Sequence, residues 1–77
     1  MQKSDIGLIG LAVMGENMAI NMESKGYQVS VFNRTPERIE NFLSGRARGK
    51  NIVGASCLQE LVNQLKSPRI IILMIKA

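Results

Sequence analysis

The segment DIGLIGLAVMG, residues 5–15, combines a short apolar run with a glycine-containing turn. The apolar, partly β-branched run from Asp5 to Ile9 is typical of a short buried strand, and it breaks at Gly10. Residues 10–15 have the form G-x-A-x-x-G, which is the dinucleotide-binding pattern with Ala12 in place of its second glycine. Helical spacing begins directly afterwards. The segment therefore predicts a strand, a tight turn and a helix in succession.

A turn of this form needs small residues for separate physical reasons. Gly10 permits the sharp turn out of the strand, Ala12 lets the backbone approach a pyrophosphate, and Gly15 lets the helix lie close to the strand. The helix N-terminus then offers free N–H groups and a partial positive charge to an anion. A tight turn without a ligand is the alternative. We expect the turn to bind a dinucleotide through Gly10, Leu11, Ala12, Val13, Met14 and Gly15.

Strand and helix patterns alternate along the rest of the chain. Further strands are predicted at residues 28–32, 52–53 and 70–75, and helices at residues 14–25, 36–43 and 57–66. Strands joined through helices indicate a parallel sheet and an α/β fold. We expect a Rossmann-like β-α-β-α-β-α-β arrangement in which residues 1–77 form an incomplete, N-terminal part of a dinucleotide-binding domain.

Three local patterns predict where the helices begin and end. Gly26 is expected to end the first helix in a left-handed conformation. Thr35 is expected to cap the second helix ahead of Pro36, a residue that suits the first turn. Ser56 and Gln59 have the spacing of a capping box for the third helix.

Apolar spacing predicts two buried faces. Met14, Met18 and Met22 recur every four residues and are expected to pack the first helix on the sheet, with an adaptable binding face as the alternative. The run from Ile70 to Ile75 is continuously apolar, as in a central parallel strand covered on both faces. No helix follows to cover this strand, so we expect the chain to be part of a longer protein and only marginally stable alone.

The composition excludes several catalytic chemistries. The 77 residues include no histidine and one cysteine, Cys57, which argues against zinc sites and His-based catalysis and favours a reduced, cytoplasmic setting. No lysine is spaced from a carboxylate as a tuned acid–base couple would be. The net charge of +4 favours anionic ligands. Arg46, Arg48 and Lys50 crowd one loop without aromatic neighbours, so we expect a solvated loop there and no nucleic acid or membrane partner.

A second polar cluster follows the second strand. Asn33, Arg34 and Thr35 stand about 20 residues beyond the turn, where an NAD-binding fold carries an acidic residue for the ribose 2′-hydroxyl. An arginine with two hydrogen-bonding side chains suits a 2′-phosphate instead, because a guanidinium donates a planar fork to phosphate oxygens and can stack on adenine. The cluster therefore predicts NADP as the cofactor. An exposed arginine beside a capping threonine is the alternative.

These motifs together resemble the N-terminal segment of the decarboxylating 6-phosphogluconate dehydrogenases, over essentially the whole chain. The related β-hydroxyacid dehydrogenases are the alternative family, although they more often have glycine at position 12 and lack the ending from Pro68-Arg69 to Lys76-Ala77. The resemblance rests on residues 7–17, 21–22, 33–35, 42–43, 52–55, 60–62, 65–66, 68–69 and 74–77.

The resemblance implies an NADP-dependent oxidoreductase of the pentose phosphate pathway. Such an enzyme oxidises 6-phosphogluconate at C3 and releases CO2 to give ribulose 5-phosphate. The resemblance implies NADP contacts at residues 10–15 and 33–35, and also at Ile75, Lys76 and Ala77, where the last strand ends. It further implies a cytoplasmic homodimer. The family's catalytic lysine and glutamate have no counterpart here, so we assign no catalytic residue and expect the 77-residue chain alone to be an inactive, NADP-binding fragment.

Overall fold

A computed structural model describes residues 3–74 of the chain. The strands form one parallel sheet in the order β3-β2-β1-β4, with the helices connecting them. The expected Rossmann-like α/β fold is confirmed. The elements along the chain are β1 (Ile6–Ile9), α1 (Val13–Ser24), β2 (Val29–Phe32), α2 (Pro36–Ser44), β3 (Ile52–Gly54), α3 (Leu58–Gln64) and β4 (Ile71–Leu73).

The carboxyl ends of β1 and β2 lie side by side within the sheet. Leu8 of β1 is level with Val31 on one side and with Ile72 on the other, and Ile9 is level with Phe32. After β3 the chain crosses β2 and β1 to reach β4, so the direction of winding reverses beside β1. Ligands of open α/β sheets bind at the carboxyl ends of the strands near such a reversal. The topology therefore favours the loops that follow β1 and β2 as the place of a ligand site.

Helix α1 packs on the sheet through its smallest residues. Gly15 and Ala19 are buried on this face, and Met18 and Met22 are partly buried against the same core. Met14 is 72% exposed, so the prediction that it packs in the core is wrong. Gly15 makes the contact between the first turn of α1 and the sheet. The adjacent Met14 is rotated from it by about 100° around the helix axis and therefore faces solvent. The predicted left-handed Gly26, with φ +99°, is confirmed.

The cap of α3 is shifted by one residue from the prediction. Cys57, not Ser56, is the N-cap, and its Sγ accepts a hydrogen bond from the Glu60 N–H. Glu60 Oε1 in turn accepts from the Ser56 N–H at 2.7 Å, while Gln59 donates to Asn63. A carboxylate is a stronger acceptor than an amide oxygen, which favours Glu60 over Gln59 as the reciprocal partner.

The predicted cap of α2 is found at the expected residue. Thr35 is the N-cap in an extended conformation and Pro36 follows in the first turn, but the Thr35 side chain makes no capping hydrogen bond.

Helix α3 ends at Gln64, before the predicted Lys66, because Leu65 leaves the helix to pair with Ser4. The Ser4 N–H donates to Gln64 O at 2.8 Å, and the Lys66 N–H donates to Ser4 O at 3.0 Å. The buried Ser4 hydroxyl also accepts from the Ser30 hydroxyl at 2.6 Å. These bonds fasten the end of α3 to the amino edge of the sheet.

Strand β4 lies at one edge of the sheet formed by residues 3–74, where it pairs with β1. Ile71 is 40% exposed and Leu73 is 63% exposed, so β4 has an uncovered face within the described residues, as expected from the lack of a helix after it. The central position of which its apolar run is typical is not found among these residues. The helices pack mainly against β1, β2 and β3 and leave one face of β4 uncovered. Ile75, the end of the predicted strand, lies outside the described residues.

Candidate cofactor-binding site

The turn between β1 and α1 bends sharply at Gly10. Gly10 has a φ of +106°, which side-chain-bearing residues rarely adopt. Its N–H donates to Phe32 O at 2.9 Å, so the start of the turn is bonded to the end of β2. Residues 10–12 then carry the chain from β1 into α1.

The first turn of α1 lies directly against this bend. A Cβ added at Gly15 would lie 2.0 Å from Gly10 O, which is far inside van der Waals contact. Only glycine fits this position without a shift of the backbone, and the close approach predicted for Gly15 is confirmed. The contact brings the N-terminal amides of α1 to the carboxyl edge of the sheet.

The amides at the start of α1 are available to an anion. The N-cap, Ala12, is exposed and has no capping side chain. The Glu16 N–H donates to Ala12 O at 2.9 Å, whereas the N–H groups of Val13, Met14 and Gly15 have no acceptor within residues 3–74. The side chains of Val13 and Met14 are exposed and leave the turn open. Free amides together with the helix dipole favour a negatively charged group at this place.

Asn33 connects this turn to the loop after β2. Its Oδ1 accepts a hydrogen bond from the Leu11 N–H at 2.9 Å, and its Nδ2 donates to Thr35 O at 3.2 Å. The structure thus brings residues 10–15 and 33–35 together at one edge. Both polar atoms of the Asn33 amide already have partners within the protein.

Arg34 and Thr35 are exposed beside this turn. Within residues 3–74, Arg34 has no hydrogen-bond or ion-pair partner for its guanidinium. Arg38, one helical turn further along, donates from Nη1 to Leu11 O at 3.5 Å. Sequence reasoning missed Arg38, although its place three residues after the predicted cap Thr35, in the first turn of α2, could have indicated it.

Arg46 is a second residue that sequence reasoning did not connect with the site. Its guanidinium donates to Glu16 Oε1 at 3.0 Å and to Asn17 Oδ1 at 2.5 Å. The bond to Glu16 offsets the charge of a carboxylate one residue beyond Gly15, which favours an anion at the start of α1. Arg48 and Lys50 are exposed, as expected of a solvated loop. Arg46 and Glu16 are 30 positions apart in the chain, and nothing in the local sequence indicates their pairing.

An ion pair that the sequence did not indicate lies at the opposite, amino edge of the sheet. Lys66 Nζ is 2.5 Å from Asp5 Oδ1, and the Gln28 N–H donates to Asp5 Oδ2 at 2.8 Å. The hydrogen bond from Lys66 and then the one from Gln28 lower the pKa of Asp5. The carboxylate therefore stays ionised near neutral pH. The pair fastens β1 to the segment after α3 and lies away from the candidate site.

The remaining surface features lie away from the turn. A groove of about 340 Å³ at the amino edge is lined by Asp5, Tyr27 and Ile70, among others, and a second of about 280 Å³ lies between α2 and α3. In the part of the chain that is described, no helix is long and apolar enough to cross a membrane, and no cluster of three metal-ligating side chains occurs. The predicted contacts at Ile75, Lys76 and Ala77 lie outside the described residues.

A sequence profile described as the NAD binding domain of 6-phosphogluconate dehydrogenase matches residues 5–77. The chain belongs to this family. A relative from Dictyostelium discoideum, named 6-phosphogluconate dehydrogenase, decarboxylating, is 55% identical over 75 residues, which are 97% of this chain and 15% of the relative. A relative from Bacillus subtilis, named as the NADP(+)-dependent decarboxylating enzyme, is 53% identical over 77 residues, which are 100% of this chain and 16% of the relative.

A solved structure supports the same assignment. The chain superposes on Plasmodium falciparum 6-phosphogluconate dehydrogenase with a TM-score of 0.84 and 49% identity, over 95% of this chain and 16% of that chain. That protein is described in its apo form, with its cofactor NADP+ and with its substrate 6-phosphogluconate. The family resemblance is confirmed. The chain spans about one sixth of the length of these relatives.

Proposed function

We propose that this chain is the NADP-binding segment of a 6-phosphogluconate dehydrogenase, which oxidises and decarboxylates 6-phosphogluconate to ribulose 5-phosphate while it reduces NADP. The observation that carries the choice of cofactor is the exposed guanidinium of Arg34 at the end of β2, beside the open first turn of α1. An acidic residue in this loop would favour the ribose 2′-hydroxyl of NAD, and residues 33–35 include none.

The residues at this edge fit both the pyrophosphate and the 2′-phosphate of NADP. The contact between Gly10 and Gly15 leaves no room for a Cβ, so the backbone itself forms the floor of the turn. The amides of residues 13–15 face no acceptor of the described chain and suit a pyrophosphate. Arg34 lies beside this turn, in the loop after β2, and its guanidinium has no partner in the described chain, which suits a 2′-phosphate.

The free energy of a single hydrogen bond to the 2′-phosphate is large enough to select NADP over NAD. A hydrogen bond to a charged group contributes about 1.5–3 kcal/mol. One such bond from Arg34 to the 2′-phosphate therefore corresponds to roughly a 10- to 100-fold preference for NADP over NAD. The amides of the turn contact groups that both cofactors share, so they support affinity without selecting between them.

When bound, the nicotinamide accepts the hydride that the substrate loses on oxidation. The described residues bind and orient the cofactor. The reaction also needs a base for the substrate hydroxyl and an acid for the enol left by decarboxylation. We assign these roles, the contacts with 6-phosphogluconate and the dimer interface to the rest of a full-length protein, and its location to the cytoplasm. A lone free thiol, Cys57, is consistent with that reducing compartment.

Arg34→Ala in the full-length protein tests the proposal. With 6-phosphogluconate as substrate, we expect kcat/KM for NADP to fall about 10- to 100-fold, because the variant loses a charge-assisted bond to the 2′-phosphate. The value for NAD should change less than about twofold. Arg48→Ala, which removes another exposed arginine, is the matched control and should leave both values unchanged. A wild-type protein that reduces neither cofactor, or an unchanged ratio in Arg34→Ala, would contradict the proposal.

A further inference from the structure

We propose that Arg46 is a positioning residue for the cofactor and that it acts through Glu16. Its guanidinium holds and neutralises the acidic side chain in the first turn of α1, so that this turn attracts a pyrophosphate. The inference rests on the proposed function, since it concerns how the same edge binds the phosphates that NAD and NADP share. It adds to the site a residue of the loop after α2, which is distant from the glycine turn in the sequence.

The first observation is that the charge of Glu16 favours the helix and opposes the ligand. Glu16 directly follows the free amides of residues 13–15. A negative charge in the first turn stabilises the helix dipole, but the same charge repels a pyrophosphate at those amides. The carboxylate lies within about one helical turn, roughly 5–8 Å, of the place of the anion. At such a separation near a protein surface, an uncompensated charge changes a binding constant roughly 3- to 10-fold.

The second observation is that Arg46 contacts two neighbouring residues of α1 with its guanidinium. Nη1 donates to Glu16 Oε1 at 3.0 Å, and Nη2 donates to Asn17 Oδ1 at 2.5 Å. An arginine only donates, so the second bond also fixes the orientation of the Asn17 amide. The Glu16 side chain is 22% exposed, against 48% for that of Arg46. The carboxylate is therefore partly withdrawn from water, and salt screens its charge less than that of a fully exposed residue.

The third observation is that the backbone around Arg46 is held in place. The next residue, Ala47, is 3% exposed and belongs to the hydrophobic core, and its N–H donates to Phe42 O at 2.9 Å. Further along the same loop, the Asn51 N–H donates to Glu23 Oε2 at 3.1 Å, so the loop contacts α1 again near the end of that helix. Because its backbone is already ordered, Arg46 loses less conformational entropy on pairing than an arginine of a mobile loop would.

A purely structural role for the pair has different consequences. If the pair only fastens the loop to α1, removing either partner loosens the same contact, and Arg46→Gln and Glu16→Gln weaken cofactor binding alike. In the proposed role the two substitutions act in opposite directions. Loss of Arg46 leaves a bare carboxylate beside the phosphates, whereas loss of Glu16 removes that carboxylate. The effect of Glu16→Gln in a chain that already lacks Arg46 therefore distinguishes the two roles.

Calorimetric titration of the full-length protein with NADP and with NAD tests the inference. For Arg46→Gln we expect the dissociation constants of both cofactors to rise roughly 3- to 10-fold with their ratio unchanged, because the repulsion acts on the shared pyrophosphate. Adding Glu16→Gln to this variant should restore both constants to within about twofold of the wild type. Arg48→Gln removes the same charge from the same loop, at an exposed residue without an ion pair among those described, and should change them less than about twofold.

Ionic strength provides a second readout that a structural role would not move. Relative to the wild type at the same salt, the loss in Arg46→Gln should shrink between about 0.01 M and about 1 M salt, because the Debye length falls from about 30 Å to about 3 Å. Unchanged dissociation constants in Arg46→Gln, a loss that salt does not reduce, or a double variant that binds no better than Arg46→Gln would overturn the inference. If the wild-type protein binds neither cofactor, the proposed function itself fails.

Discussion

At the scale of single residues, two glycines determine how the phosphate turn is built. Gly10 supplies a left-handed backbone conformation, and Gly15 accepts a contact with Gly10 O that no Cβ could tolerate. Ala12, in contrast, is exposed. We propose that its small size serves access of a ligand to the turn, so that the pattern G-x-A-x-x-G combines two residues that the fold requires with one that the ligand requires.

Gly15→Ala tests the fold requirement. The added Cβ must displace the backbone at Gly10, and overpacking of this kind costs about 1–3 kcal/mol, more than the roughly 1 kcal/mol that alanine gains over glycine in a helix. We expect a lower free energy of unfolding in urea and weaker binding of both cofactors. Gly49→Ala is the control, because its Cβ meets no atom within 4 Å and only the positive φ of +77° is strained. A Gly15→Ala variant at least as stable as the wild type would contradict the close contact.

At the scale of elements, the sequence predicts the order of the strands and helices well, but it predicts their buried faces and their caps less well. Periodicity indicates β1, α1 and β2 because each buries a face that its own spacing reveals. The exposure of Met14 could not be predicted, since it depends on which side of α1 approaches the sheet. The shift of the α3 cap to Cys57 depends on a choice between two adjacent acceptors, Gln59 and Glu60.

The candidate site likewise combines features that the local sequence indicates with contacts that it does not. The glycine pattern and Arg34 are local signals, and the structure brings them to one edge of the sheet. The bond from Asn33 to Leu11 and the pair between Arg46 and Glu16 join residues that are far apart in the chain. Such pairings depend on strand order and loop path, which local patterns do not specify.

The tie between Asp5 and Lys66 predicts how the elements respond to acid. The ordinary pKa of Asp5 is 3.8, and in the folded chain the bonds from Lys66 and Gln28 lower it. The unfolded chain therefore binds a proton first as the pH falls. The stability that Asp5 contributes is present above pH 3.8 and is lost as the pH falls through the lower, folded value.

We accordingly expect Asp5→Asn to be less stable than the wild type at neutral pH, with a difference that shrinks below pH 3.8. Urea unfolding of both proteins across this pH range measures the effect. Glu37→Gln, at an exposed residue with no ion pair among those described, is the control and should give a smaller difference at neutral pH. A difference between Asp5→Asn and the wild type that stays constant with pH would show that the ion pair does not contribute.

At the scale of the whole molecule, the candidate site of the described residues lies at an open edge of the sheet and is not enclosed. The sheet ends at β4, where Ile71 and Leu73 are exposed. Strand β4 pairs with β1, on the side where the direction of winding reverses. The matched relatives are about six times longer than the chain. We therefore propose that the open edge is completed in a full-length protein, and that residues 1–77 alone carry cofactor contacts without catalysis.

A crystal structure of the full-length protein with NADP tests the central claim most directly, because it reports where each phosphate lies. We expect the pyrophosphate within hydrogen-bonding distance of the amides of residues 13–15, and the 2′-phosphate against the Arg34 guanidinium. Asn33 Oδ1 should keep its bond to the Leu11 N–H. A cofactor bound elsewhere, or a 2′-phosphate turned away from Arg34 into solvent, would contradict the account.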